Sequence, residues 1–93
     1  MHSFILSFEA EEDISRIYEY GFYKFGMIQA DIYYENFFKC FEKIAMNPLM
    51  FPSAEHFKKN YRSCVCGVDT IYFSIKDEIT VEIITIIGRQ DFP

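Results

Sequence analysis

Three cysteines, two histidines and nine lysine or arginine side chains are the groups in this sequence best suited to hold a metal, attack an electrophile or steady a phosphate. Cys64 and Cys66 are two residues apart, so on a strand they point to the same face. With His56 they would make three ligands, but no second close Cys or His pair completes the set that structural zinc sites use. In a reducing compartment, Cys40, Cys64 and Cys66 are therefore read as buried or half-buried thiols, with no metal and no cofactor. His56 has no Asp or Ser at a telling spacing and reads as a surface residue. The acids Glu9, Glu11, Glu12 and Asp13 crowd the start of a helix, where its dipole favours negative charge. They read as a solvated N-terminus, not as a catalytic pair. The cations left to consider are Lys58, Lys59, Arg62 and Arg89. For Arg62, an ion pair, a solvated strand position and a partner contact all remain open. Arg89 follows a long strand, where a sheet end leaves side chains convergent and accessible, and is expected to touch a partner. For Asp91, pairing with Arg89 and contact with the same partner both remain open.

Net charge narrows the partners. The chain carries −5 overall, divided as −5 over residues 1–35, +3 over residues 36–66 and −3 over residues 67–93. An acidic protein is a poor general binder of nucleic acid, because phosphate contacts need clustered Lys and Arg. Only the middle segment could favourably touch a polyanion. No apolar run reaches membrane-spanning length, and the start lacks a signal-peptide pattern, so a cytoplasmic protein is expected. Phe and Tyr together supply 18 of the 93 residues, with no Trp. That many rings in one domain (residues 1–93) imply an aromatic core and some aromatic surface left for a partner.

The elements that must position these groups are legible in the periodicities. Ile79-Thr80-Val81-Glu82-Ile83-Ile84-Thr85-Ile86-Ile87 is β-branched at every position but Glu82, which suits a pleated sheet. Ile79, Val81, Ile83, Thr85 and Ile87 share one parity and are expected to face the core from a central strand ending at Gly88. Phe4-Ile5-Leu6-Ser7 reads as a further strand, with Ser7 capping a helix. Ile14, Ile17, Tyr18, Gly21, Phe22 and Phe25 form a helical stripe and are expected in the core. Gly26 permits a tight turn. A second helix is expected from Met27 to Ala45, with Ala30, Tyr33, Tyr34, Phe37, Phe38, Phe41 and Ile44 in a wide stripe. Those four clustered rings, Tyr33, Tyr34, Phe37 and Phe38, cannot all face inward, so one or two are expected under a partner. Asn47-Pro48 ends the helix, and Ser53 is placed to cap one turn in the connection that follows. Tyr61–Cys66 and Thr70–Ile75 read as strands joined by Gly67-Val68-Asp69, and Lys76-Asp77-Glu78 turns into the central run. The expected fold is α+β, in the order β-α-α-β-β-β: a helical hairpin packed on a mainly antiparallel sheet.

That order, with several local phrases, resembles the RelE/ParE superfamily of toxins from bacterial toxin–antitoxin pairs. The phrases include Ile5-Leu6-Ser7, Glu9-Ala10-Glu11-Glu12-Asp13-Ile14, Ile17-Tyr18-Glu19-Tyr20-Gly21, Phe25-Gly26, Gln29-Ala30 and Asn47-Pro48. Tyr61-Arg62-Ser63, Ile71-Tyr72-Phe73, Val81-Glu82-Ile83-Ile84 and Gly88-Arg89-Gln90-Asp91 continue the match across nearly the whole chain. The sequence is most similar to the ParE branch. The resemblance implies a toxin in a hetero-oligomer with a cognate antitoxin that neutralises it. It further implies inhibition of DNA gyrase by protein contact, with no sequence-specific nucleic-acid binding and no membrane. The RelE branch instead implies a ribosome-dependent mRNA endoribonuclease, which needs positive charge at the scissile phosphate and a group to move a proton. This chain carries Val68, Asp69 and Thr70 where an Arg is needed after Gly67, and an Asp there is expected to repel the phosphate. No His or Tyr follows Arg89. A third reading is a toxin fold that has lost toxicity and acts only as a binding partner.

Overall fold

Ser7 ends one element and starts the next. Its hydroxyl accepts a hydrogen bond from the Ala10 amide at 3.0 Å, the expected N-cap, and donates to the Ile84 carbonyl at 2.7 Å. The cap ties strand β1 (Ser3–Leu6) and helix α1 (Phe8–Phe25) to the far end of the chain. In the computed structural model, which describes residues 2–88, Gly26 sits at φ +93°, a conformation that side chains strain to adopt. It reverses the chain into α2 (Met27–Met46), and a short 3-10 turn (Pro48–Met50) follows where Asn47-Pro48 stops the helix. The connection makes one turn closed by Phe57 and Lys58 amides on the Ala54 carbonyl. Strands β2 (Arg62–Cys66), β3 (Asp69–Ile75) and β4 (Thr80–Gly88) complete the expected β-α-α-β-β-β order.

The sheet runs β1-β4-β3-β2, with β1 parallel to β4 and the other pairs antiparallel. The isoleucine-rich strand is therefore central, as its composition predicts. Its parity, however, changes partway. Phe73 pairs with Ile83 while Tyr72 pairs with Thr85, so Ile84 is an extra residue in a bulge. Val81 and Ile83 face the core before the bulge, and Ile86 replaces Ile87 after it. Ile79 lies outside the strand and is exposed.

The helical hairpin covers one sheet face. Ala10, Ile14 and Ile17 from α1 meet Phe37, Phe41, Ile44 and Ala45 from α2 over Ile71, Phe73, Val81, Ile83 and Ile86. The apolar stripe of α1 outruns this core: Phe22 and Phe25, expected inside, are exposed. Asp13, expected in solvent, is another departure. Its Oδ2 accepts from the Thr85 hydroxyl at 2.8 Å and the Ile86 amide at 3.0 Å, clamping α1 to the bulge. The cysteines also depart from expectation. Cys40 on α2 is disulfide-bonded to Cys66 at the end of β2, and only Cys64 is a thiol, buried. Two positions that sequence reads as separate lie with their Cα atoms 6.5 Å apart, inside the range a bridge requires. Among the described residues no group of three potential ligands could hold a metal, so the Cys64, Cys66 and His56 set does not assemble. No described helix is long and apolar enough to cross a membrane.

Candidate partner-binding site

Small residues open the site. Gly21 on α1 faces Ala30 on α2 so closely that a Cβ on Gly21 would lie 3.8 Å from the Ala30 Cβ. Between the helices, at the hairpin's turn end, runs a groove of about 510 Å³. Ile17, Tyr20, Gly21 and Phe25 form one wall, Gln29, Ala30 and Tyr33 the other, and Val68 from the β2–β3 turn closes one end. Phe25 in the groove wall is exposed, and outside the groove the helices carry further exposed apolar side chains: Tyr23 is 80% exposed and Ile28 76%, with Met27 and Ile32 also in solvent. An apolar surface of this extent, beside Glu19, Asp31 and Glu35, suits protein contact more than small-molecule chemistry.

Two tyrosines anchor the groove to its surroundings. Tyr18 donates its hydroxyl to Asp31 at 2.6 Å, linking α1 to α2, and this carboxylate partner pushes the phenol's pKa up. Tyr33 donates to the fully buried Asp69 at the start of β3. Burial first, then the Asp69 hydrogen bond, raises the Tyr33 pKa strongly. The neutral phenol is thus favoured by the fold. Its stabilising contribution is complete below about pH 10, the ordinary tyrosine value, and is lost as pH rises through the higher folded-state value. Urea denaturation between about pH 9 and 12 is expected to show that decline, and Tyr33→Phe is expected to flatten it. An unchanged slope in the variant would remove the pair as its source.

The four rings singled out on α2 divide by depth. Phe37 is in the core, 1% exposed. Phe38 is half-buried against Phe41 and Tyr34. Tyr33 lines the groove, and Tyr34 reaches the surface, edge-on to Tyr18. Arg62 lies far along the fold from them: its guanidinium donates to the Phe51 carbonyl at 2.7 Å and holds the connecting segment. Arg89 and Asp91 lie outside the described residues. The structure therefore brings Tyr33 and Tyr34 together and leaves Arg62 apart. Sequence reading missed Tyr20, Gln29 and Val68, and the exposed Tyr23 and Ile28. The available signal was Tyr20 and Tyr23 themselves, large rings off the Ile14–Ile17–Gly21 stripe, which mark a second apolar face on one helix.

Among the described cations, Arg62 and Lys58 both have partners within the fold. Lys58 lies over the Tyr61 ring, 5.9 Å from its centroid. Asp69, expected in the open turn after Gly67 to repel a phosphate, is instead buried beneath Tyr33.

The family model described as the ParE toxin of type II toxin–antitoxin systems, parDE, matches residues 4–92. Among solved structures, the chromosomal ParDE toxin–antitoxin system from P. aeruginosa is similar in fold: the TM-score is 0.82 at 14% identity, covering 95% of this chain and 96% of the other. No curated protein matches in sequence.

Proposed function

The chain belongs to the ParE toxin family of type II toxin–antitoxin systems, and on that premise we propose that it inhibits DNA gyrase by protein contact and is neutralised by a cognate antitoxin. The observation that carries the protein-contact reading is the exposed apolar surface of the helical hairpin, with Tyr23 and Ile28 largely in solvent. Large exposed rings are what interface hot spots are built from. The acidic flank at Glu19, Asp31 and Glu35 favours a partner segment with basic residues beside an apolar stripe.

Purified protein added to gyrase is expected to abolish supercoiling and to accumulate cleaved DNA, with both effects reversed by the antitoxin. Tyr23→Asp, at a position outside the core, is expected to weaken the productive contact about 30-fold while leaving the fold intact, as for a hot spot near 2 kcal/mol. Undiminished supercoiling at saturating protein would remove gyrase as the target. Transcripts cut on translating ribosomes would instead support the endoribonuclease reading.

A further inference from the structure

We propose that Cys40 and Cys66 form a reversible redox latch that holds the β2–β3 turn against α2 and so fixes the end wall of the hairpin groove. Cys66 is the last residue of β2, and the turn continues through Gly67 and Val68 to Asp69. Gly67, at φ +64°, packs so tightly on Tyr33 that a Cβ there would meet the ring at 3.0 Å. Val68 lines the groove, and Asp69 accepts the Tyr33 hydroxyl. On α2, Tyr33 and Cys40 are seven residues apart, two helical turns on one face. The turn is therefore fastened to α2 by the Tyr33 hydroxyl, which donates to Asp69 and accepts from the Val68 amide, and by the disulfide. With the bridge reduced, the covalent fastening is gone, and the turn at the end of β2, an edge strand, lifts Val68 from the groove more often.

The chemistry is thiol–disulfide exchange with a low-molecular-weight disulfide such as oxidised glutathione. Cys40 is the half-buried member and Cys66 the buried one. The Cys40 thiolate attacks one sulfur of glutathione disulfide, forming a mixed disulfide and releasing one glutathione thiol. The Cys66 thiolate then attacks the Cys40 sulfur and releases the second. Two electrons and two protons pass from the protein to glutathione, and excess reduced glutathione runs the steps backward. Cys64 is the free cysteine, because it is Cys66 whose sulfur meets that of Cys40.

The latch is independent of which partner occupies the groove. The test is to equilibrate the full chain in glutathione buffers from reducing to oxidising, quench with acid, denature, block free thiols with iodoacetamide and weigh the protein. Three blocked thiols are expected at the reducing end and one at the oxidising end, and two and none, with the same midpoint, in Cys64→Ser. Amide hydrogen exchange over residues 66–69 is expected to rise at least about 10-fold on reduction, and Cys40→Ser is expected to exchange at the fast rate in either buffer. Reduction is also expected to lower Tm by on the order of 10 °C. Three blocked thiols in oxidising buffer, one in every buffer, or exchange at 66–69 that does not change on reduction would each overturn the proposal.

Discussion

Phe41→Ala is expected to destabilise the protein by about 3–5 kcal/mol, the cost of emptying a fully buried ring site that the surroundings cannot refill. Phe41 is 0% exposed. Its centroid lies 5.4 Å from Phe4 on β1, 5.2 Å from Phe38 and 6.4 Å from Phe37. Removing it strips contacts from α2 and from the edge strand at once, so neither can relax inward without the other. Domains of this size are stable by about 5–15 kcal/mol in total, so the variant is expected to be partly unfolded at 37 °C. Urea denaturation measures this directly. Tyr23→Ala, on the exposed surface of α1, is the matched control and is expected to stay within about 0.5 kcal/mol of the parent. Equal losses in the two would mean that the ring cluster is not the core.

Much of the fold was legible because local chemistry and the global arrangement agree. Ser7 is a cap by type and by geometry, Gly26 breaks the hairpin where only a glycine is unstrained, and the β-branched run over 79–87 does become the central strand. What sequence did not show depends on contacts between distant residues. The Ile84 bulge leaves no mark in an unbroken β-branched run, so the parity change from Ile83 to Ile86 was hidden. Cys40 and Cys66 are 26 residues apart in sequence, and their meeting depends on how α2 lies across β2. Phe22 and Phe25 keep the helical stripe's spacing, but the sheet does not extend beneath them. The candidate site was legible in part, through Tyr33 and Tyr34. Its other wall comes from α1, where the rings looked like core.

Asp13→Ala is expected to cost about 3 kcal/mol, because it leaves the Ile86 amide and the Thr85 hydroxyl without the charged acceptor they share. Thr85 is 7% exposed and Ile86 1%, so water is poorly placed to replace the carboxylate. The exposed ion pair between Asp13 and Arg16, at 3.1 Å, adds little by comparison. Asp13→Asn keeps an acceptor oxygen and is expected to recover more than half of the loss. Thr85→Val removes one donor, and its cost is expected to be non-additive with Asp13→Ala, since both act on one hydrogen-bonded group. A strictly additive double variant would mean that the clamp is not what couples α1 to β4.

The place of β4 in the sheet sets an order of events during synthesis. It is the last described strand to leave the ribosome, yet both β1, the first described strand, and β3 hydrogen-bond to it. Until Thr80–Gly88 emerges, β1 has no strand neighbour and the two helices lack the Val81, Ile83 and Ile86 part of their floor. A nascent or truncated chain lacking this segment is therefore an apolar hairpin awaiting its sheet, prone to capture by chaperones. The finished surface thus exists only once Thr80–Gly88 has emerged and paired on both sides.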